Sequence, residues 1–178
     1  MIRAALENQT RLWDGIGHFD AVAHLVLRYG VERAGAALPP RIARMKAKEC
    51  FRNATLTAVT RSMDYCEGYA VRPMLGIPIH HAWCVDASGT VVDPTWSDAQ
   101  ECFYLGVSVD AKTAWDITVR SGVYGLLTGM RGFNLDVMEQ IAPGFLAYSD
   151  EARKRVAAET PEFIRRRMAD PTDLEAGQ

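Results

Sequence analysis

A cysteine, a histidine and an aspartate stand in this chain in an order and spacing that suit nucleophilic thiol chemistry. Such a thiol needs a partner that removes its proton, a group that fixes that partner's tautomer, and donors for the oxyanion. Cys50 heads the run Cys50-Phe-Arg-Asn-Ala-Thr-Leu-Thr-Ala58. On its helical face follow Ala54, Thr57 and Ala58, small enough to let a helix approach a sheet closely. In Ile77-Pro-Ile-His-His-Ala-Trp-Cys-Val-Asp86, strand alternation sends His81, Trp83 and Val85 to one face and His80, Ala82 and Cys84 to the other. Only one of the two histidines can then face the helix, and His81 is the one expected to meet Cys50.

The segment Asp86-Ala-Ser-Gly-Thr90 fixes the place of Asp93. A three-residue Ala-Ser-Gly loop with Gly89 in the left-handed conformation closes a hairpin that pairs Asp86 with Thr90. Continued outward, that register sets Trp83 opposite Asp93 and His81 opposite Thr95. Asp93 is then diagonal to His81 on the same face, about 7–8 Å away at the backbone and within reach of the imidazole. A loop one residue shorter or longer would turn Asp93 to the other face. Asp-Pro is also a turn signal without any chemistry.

Cys50 heading a helix, Glu67-Gly68-Tyr69 in a strand, His81-Ala82-Trp83, a turn at Gly89 and Asp93-Pro94-Thr95 together resemble the core of the transglutaminase-like superfamily. Residue by residue, the resemblance implies Cys50 as nucleophile, His81 as general base and Asp93 as orienting carboxylate. It also implies a papain-like α+β fold. It covers Cys50 to Trp96, while Met1 to Lys48 and Ser97 to Gln178 lie outside it.

The chemistry implied is acyl transfer: the Cys50 thiolate attacks an amide, ester or thioester carbonyl, and water or an amine resolves the resulting thioester. Proteases, amidases, deamidases and amine-transferring enzymes all share that step, and hydrolysis of an amide is the reading preferred here. An arylamine N-acetyltransferase-like reading fits less well, because no Arg-Gly-Gly precedes the cysteine. A binding or scaffold module that keeps the fold without turnover is the alternative from another class. Asn53, Tyr65, Trp83 and Trp96 are the candidates for substrate-binding or oxyanion roles, the two tryptophans fitting core or site walls as well. Glu67 reads either as a second acid near the site or as a half-exposed strand residue. Cys66, Cys84 and Cys102 read as buried small hydrophobes, and His18 and His24 as structural.

Around these residues the pattern predicts an α+β domain with an antiparallel sheet. The first forty residues read as helices, and Arg41 to Arg61 predicts a helix, broken or continuous, with Cys50 inside it and no N-cap residue before it. Tyr65 to Arg72, Ile77 to Asp86 and Thr90 to Trp96 read as strands. Gly122, Gly125, Gly129 and Gly132 interrupt an apolar stretch from Val123 to Phe133, which reads as a core loop or a loop beside the site. Ser149 to Met168 reads as a charged, mostly solvated helix containing the basic run Arg165-Arg-Arg167, and Asp170 to Gln178 as frayed.

At 178 residues the expectation is one domain, with a helical part over 1–48, a catalytic core over 49–110 and a helical and loop part over 111–178. A net charge of -2 offers no general attraction to nucleic acid. No apolar run reaches the roughly 20 residues that span a bilayer. Glu7, Arg11 and Asp14 fall where a secretory signal would be unbroken, so a cytoplasmic location is expected. The four cysteines lack C-x-x-C spacing and no H-x-x-x-H occurs, so neither a metal nor another cofactor is expected.

Overall fold

The computed structural model describes residues 1–129, 132–162 and 164–165. Among them the chain forms α1 (Ile2–Gly15), α2 (Ala21–Tyr29), β1 (Val31–Ala34), α3 (Cys50–Arg61), β2 (Asp64–Val71), β3 (Ile79–Val85), β4 (Val91–Val92), β5 (Phe103–Val109), α4 (Ala111–Ser121), β6 (Thr128–Gly129), β7 (Gly132–Phe133), α5 (Leu135–Ile141) and α6 (Phe145–Glu159). The architecture is α+β. Its centre is a five-stranded sheet in the order β1-β5-β2-β3-β4, antiparallel at every pairing.

Three local features set these boundaries. Asp20 caps α2 by accepting from the N–H groups of Val22 and Ala23, and it also receives the Tyr69 hydroxyl at 2.5 Å, which ties the helix to β2. Asp110 caps α4 through Thr113 N–H, and Gly122 at φ +69 ends it in the left-handed conformation. The hairpin between β3 and β4 has the register expected from Gly89, with Cys84 opposite Val92, Val85 opposite Val91 and Gly89 at φ +83.

Two apolar layers cover one face of the sheet. Tyr69, Val71, Leu105 and Val107 pack with Ile2, Leu6 and Leu25 of the N-terminal helices. Tyr65, Ala82, Cys84 and Val109 pack with Ala54 and Ala58 of α3 and with Ala114 and Ile117 of α4. The opposite face carries Cys66, Ala70, Trp83, Val85 and Tyr104, with Trp96 laid over them. Gly68 and Gly106 pair across β2 and β5, and Gly68 is also the β2 partner of His81. A Cβ at Gly68 would come 2.3 Å from the Leu105 oxygen, and one at Gly106 would come 2.5 Å from the Trp83 ring. Glycine at both positions therefore lets the strands coil tightly and seats Trp83 beneath the histidine.

Several expectations need correction. Val31–Ala34 is not helical: it is an edge strand whose conformation comes from pairing with β5, which local periodicity does not report. Arg41 to Glu49 is not helical either, and α3 starts at Cys50. The last helix begins earlier than Ser149, and it buries Phe145, Ser149, Ala152 and Val156. The expected stretch from Arg166 to Gln178 lies outside the described residues.

Candidate active site

Lys48 takes φ +66, Glu49 occupies the N-cap position without a capping bond from its side chain, and Cys50 is the first helical residue. The turn before it is held from outside the segment. Met45 N–H donates to the Pro94 carbonyl at 2.8 Å, and Arg44 donates to the carbonyls of Asp93 and Trp96. Asn53 reaches back, its amide nitrogen donating to the Lys46 carbonyl at 2.7 Å and to Thr95 Oγ1 at 3.1 Å. The chain ahead of the cysteine is thus fastened to the turn that carries Asp93. Cys50 N–H and Phe51 N–H engage no carbonyl or side chain among the described residues. The thiol therefore stands at the N-terminal end of α3, beside backbone N–H groups that no intrahelical carbonyl takes.

His81 is on β3 and 1% exposed, and Asp93 follows β4 and is fully buried. His81 Nε2 lies 2.9 Å from Asp93 Oδ2, and the Cys50 thiol is close enough to the ring to be among the groups that raise its pKa. With Nε2 taken by the carboxylate, Nδ1 is the nitrogen left for the thiol. Asp93 accepts two further backbone bonds at Oδ1, from Thr95 N–H at 2.7 Å and Trp96 N–H at 3.2 Å. Tyr104 donates its hydroxyl to Oδ2 at 2.9 Å. One oxygen thus makes the Asp-Pro turn while the other holds the imidazole and the phenol.

Burial alone would raise the Asp93 pKa, but the His81 bond and charge, together with the two backbone N–H groups, hold it below the ordinary 3.8. Burial alone would lower the His81 pKa, but the bonds to Asp93 and Cys50 outweigh it and hold it above the ordinary 6.5. The other three thiols are raised by burial, Cys66 and Cys102 to about 11 and Cys84 further.

No family model, curated protein or solved structure matches this chain.

The strand parity expected for β3 holds, but the face on which the helix packs is the other one. The body of α3 lies on the His80 side, with Cys84 Sγ donating to the Ala54 carbonyl at 3.2 Å. His81 shares the opposite face with Trp83 and Tyr104. It meets Cys50 because the cysteine is the tip of α3 and because β4 pairs only with Cys84 and Val85, leaving β3 open on that side at His81.

The remaining candidates fall in different places. Trp96 stacks on His81 with ring centroids 4.1 Å apart, and the Arg72 guanidinium lies 4.3 Å from the centre of the Trp96 ring. Trp83 is fully buried below, 6.4 Å from the imidazole, and its Nε1 has no partner among the described residues. Tyr65 is fully buried on the α3 face, where its hydroxyl donates to Glu67 Oε2 at 2.7 Å. Both amide hydrogens of Asn53 are used in the two bonds that fasten the pre-helix turn, so its role is to place Cys50.

Glu67 is 1% exposed rather than half-exposed. Sequence reasoning missed Tyr104, Arg44 and Arg72. The alternation in Phe103 to Val109 signals a strand, but only the sheet order brings Tyr104 to Asp93. Gly125 lies beside Phe51, the residue after the cysteine. Among the described residues no cluster of metal-ligating side chains occurs, and no helix is long and apolar enough to cross a membrane.

Proposed function

We propose that this chain is a cysteine-dependent acyl-transfer enzyme of the transglutaminase-like kind, built on a papain-like core and working in the cytoplasm. One observation carries the reading: Cys50 stands at the tip of α3 close to an imidazole that a buried, fully satisfied carboxylate holds by its Nε2. In this account His81 takes the thiol proton, and the thiolate attacks the acyl carbonyl. Backbone N–H groups at the start of α3, that of Cys50 first, donate to the oxyanion. His81 returns the proton to the leaving amine, and a water activated by the same imidazole releases the acid from the thioester. Asp93 keeps the ring in the tautomer with Nε2–H and stabilises its cationic form.

Amide hydrolysis is the preferred outcome, and resolution of the same thioester by an amine is the variant that keeps every residue role. The test is incubation with a panel of amides and thioesters, followed by intact mass on the wild type and on Cys50→Ala. A mass increase equal to one acyl group on the wild type alone supports the reading. No adduct and no turnover from any member of the panel contradicts it.

A further inference from the structure

Glu67 is a carboxylate buried between two apolar clusters, where a charge is costly to keep unless it is well paired. It accepts Leu126 N–H at 2.6 Å and the Tyr65 hydroxyl at 2.7 Å on Oε2, and Leu127 N–H at 3.2 Å on Oε1. His80 Nε2 stands 3.2 Å from Oε1 without the geometry of a hydrogen bond.

The two leucines diverge from this point. Leu126 enters the cluster with Ala54, Tyr65 and Ala82, and Leu127 enters the cluster with Tyr69, Leu105 and Phe145. The backbone between α4 and β6 is irregular, with Gly125 at φ +103. A Cβ at Gly125 would sit 3.6 Å from the Phe51 ring, and that ring meets His80 edge-on at 5.0 Å. One carboxylate therefore sets the height at which an otherwise irregular segment crosses Phe51, the residue that follows the cysteine on α3.

We propose that Glu67 is a positioning residue for this site: it holds Gly125–Leu127 against Phe51, and that segment forms the wall that limits the size of the group reaching Cys50. The idea deepens the acyl-transfer reading by assigning the acyl-side boundary, and it rests on that reading for its meaning in catalysis. Glu67→Gln replaces one acceptor oxygen by an NH2 group that must face a backbone N–H, which releases the segment while keeping side-chain volume. Glu67→Asp keeps the charge on a shorter arm.

The experiment compares alkylation of Cys50 by iodoacetamide, a small reagent, with that by N-phenylmaleimide, a bulky one, following the labelled residue by peptide mass. Thermal stability is read alongside. In Glu67→Gln the bulky-to-small rate ratio rises about tenfold, the scale on which an apolar wall discriminates small changes in size. The iodoacetamide rate stays close to wild type, and Glu67→Asp restores part of the ratio. An unchanged ratio, with or without a lowered Tm, makes Glu67 a structural tie and overturns the proposal.

If Glu67→Gln does not fold, Gly125→Ala alters the same segment, straining it at φ +103 and adding a methyl against Phe51 without touching the carboxylate; a bulky-to-small ratio that departs from wild type supports the proposal, and an unchanged one overturns it. Failure of the catalytic reading shows elsewhere, as a Cys50 that is no faster than the other thiols. The size ratio remains measurable in that case, because maleimides also label thiols that are not activated.

Discussion

Trp96 lies nearly flat on His81, ring centroids 4.1 Å apart and planes 24° from parallel, while its own backbone N–H donates to the carboxylate that holds that histidine. One residue thus fixes the imidazole from above and helps to fix its partner from the side. Arg72 pins the indole from the far face and is itself paired with Asp98 at 3.1 Å. Removing the ring by Trp96→Ala uncovers the imidazole and frees its tilt. Aromatic stacking contributes about 0.5–1.5 kcal/mol beyond area burial. We expect kcat to fall by roughly tenfold while Trp96→Phe keeps most of it. Equal losses in the two variants would show that the stack does not orient the ring.

Asp93 is served by four donors, two on each oxygen. Asp93→Asn sets an NH2 group against some of those donors and removes the charge that favours the imidazolium. Turnover should fall by about a hundredfold or more, the range of acid–base assistance. Tyr104→Phe takes away one donor and leaves the other three, so it should lower stability by about 1–3 kcal/mol with a smaller effect on turnover. Steady-state rates and thermal melts on both variants check this. A Tyr104→Phe variant slower than Asp93→Asn would contradict the order of roles.

The hairpin that delivers Asp93 is legible in the sequence because its register depends on five adjacent residues. Asp86 Oδ1 accepts from Ser88 N–H and Thr90 N–H, and Gly89 adopts the left-handed conformation that the loop demands. The start of α3 is not legible for the opposite reason. Arg44, Met45 and Lys46 have ordinary helix formers around them, and what keeps them out of a helix is bonding to Asp93, Pro94, Trp96 and Asn53, partners distant in sequence or across the turn. The face of β3 that carries α3 belongs to the same class. Parity separates His80 from His81, but which side the helix takes is set by the packing of Ala54 and Ala58 on Ala82 and Cys84, contacts distant in sequence. Glu67 reads as an ordinary strand residue until Leu126 and Leu127 arrive from the other end of the core.

The pH response follows from the two shifted groups. His81 has a folded pKa above 6.5, so its contribution to stability is fully present below 6.5 and is lost as pH rises through the folded value. Asp93 has a folded pKa below 3.8, so its contribution is present above 3.8 and is lost as pH falls through the folded value. The Tm gap between wild type and His81→Gln should therefore narrow as pH is raised from 6.5. The gap between wild type and Asp93→Asn should narrow as pH is lowered from 3.8. Thermal melts across that range check both limbs, and gaps that do not vary with pH would contradict the ion pair.

The central claim is that His81, and not its neighbour His80, activates Cys50, and thiol alkylation near neutral pH tests it most directly. Burial holds Cys66 and Cys102 at about 11 and raises Cys84 further, so these thiols should label slowly. The account predicts that Cys50 is the first of the four to react with iodoacetamide. It predicts that His81→Ala slows that reaction by about tenfold or more, the scale of losing one activating partner, whereas His80→Ala leaves it within about twofold, because adjacent strand residues face opposite sides. A Cys50 that reacts no faster than the buried thiols, or one that is slowed by His80→Ala and unaffected by His81→Ala, would contradict it.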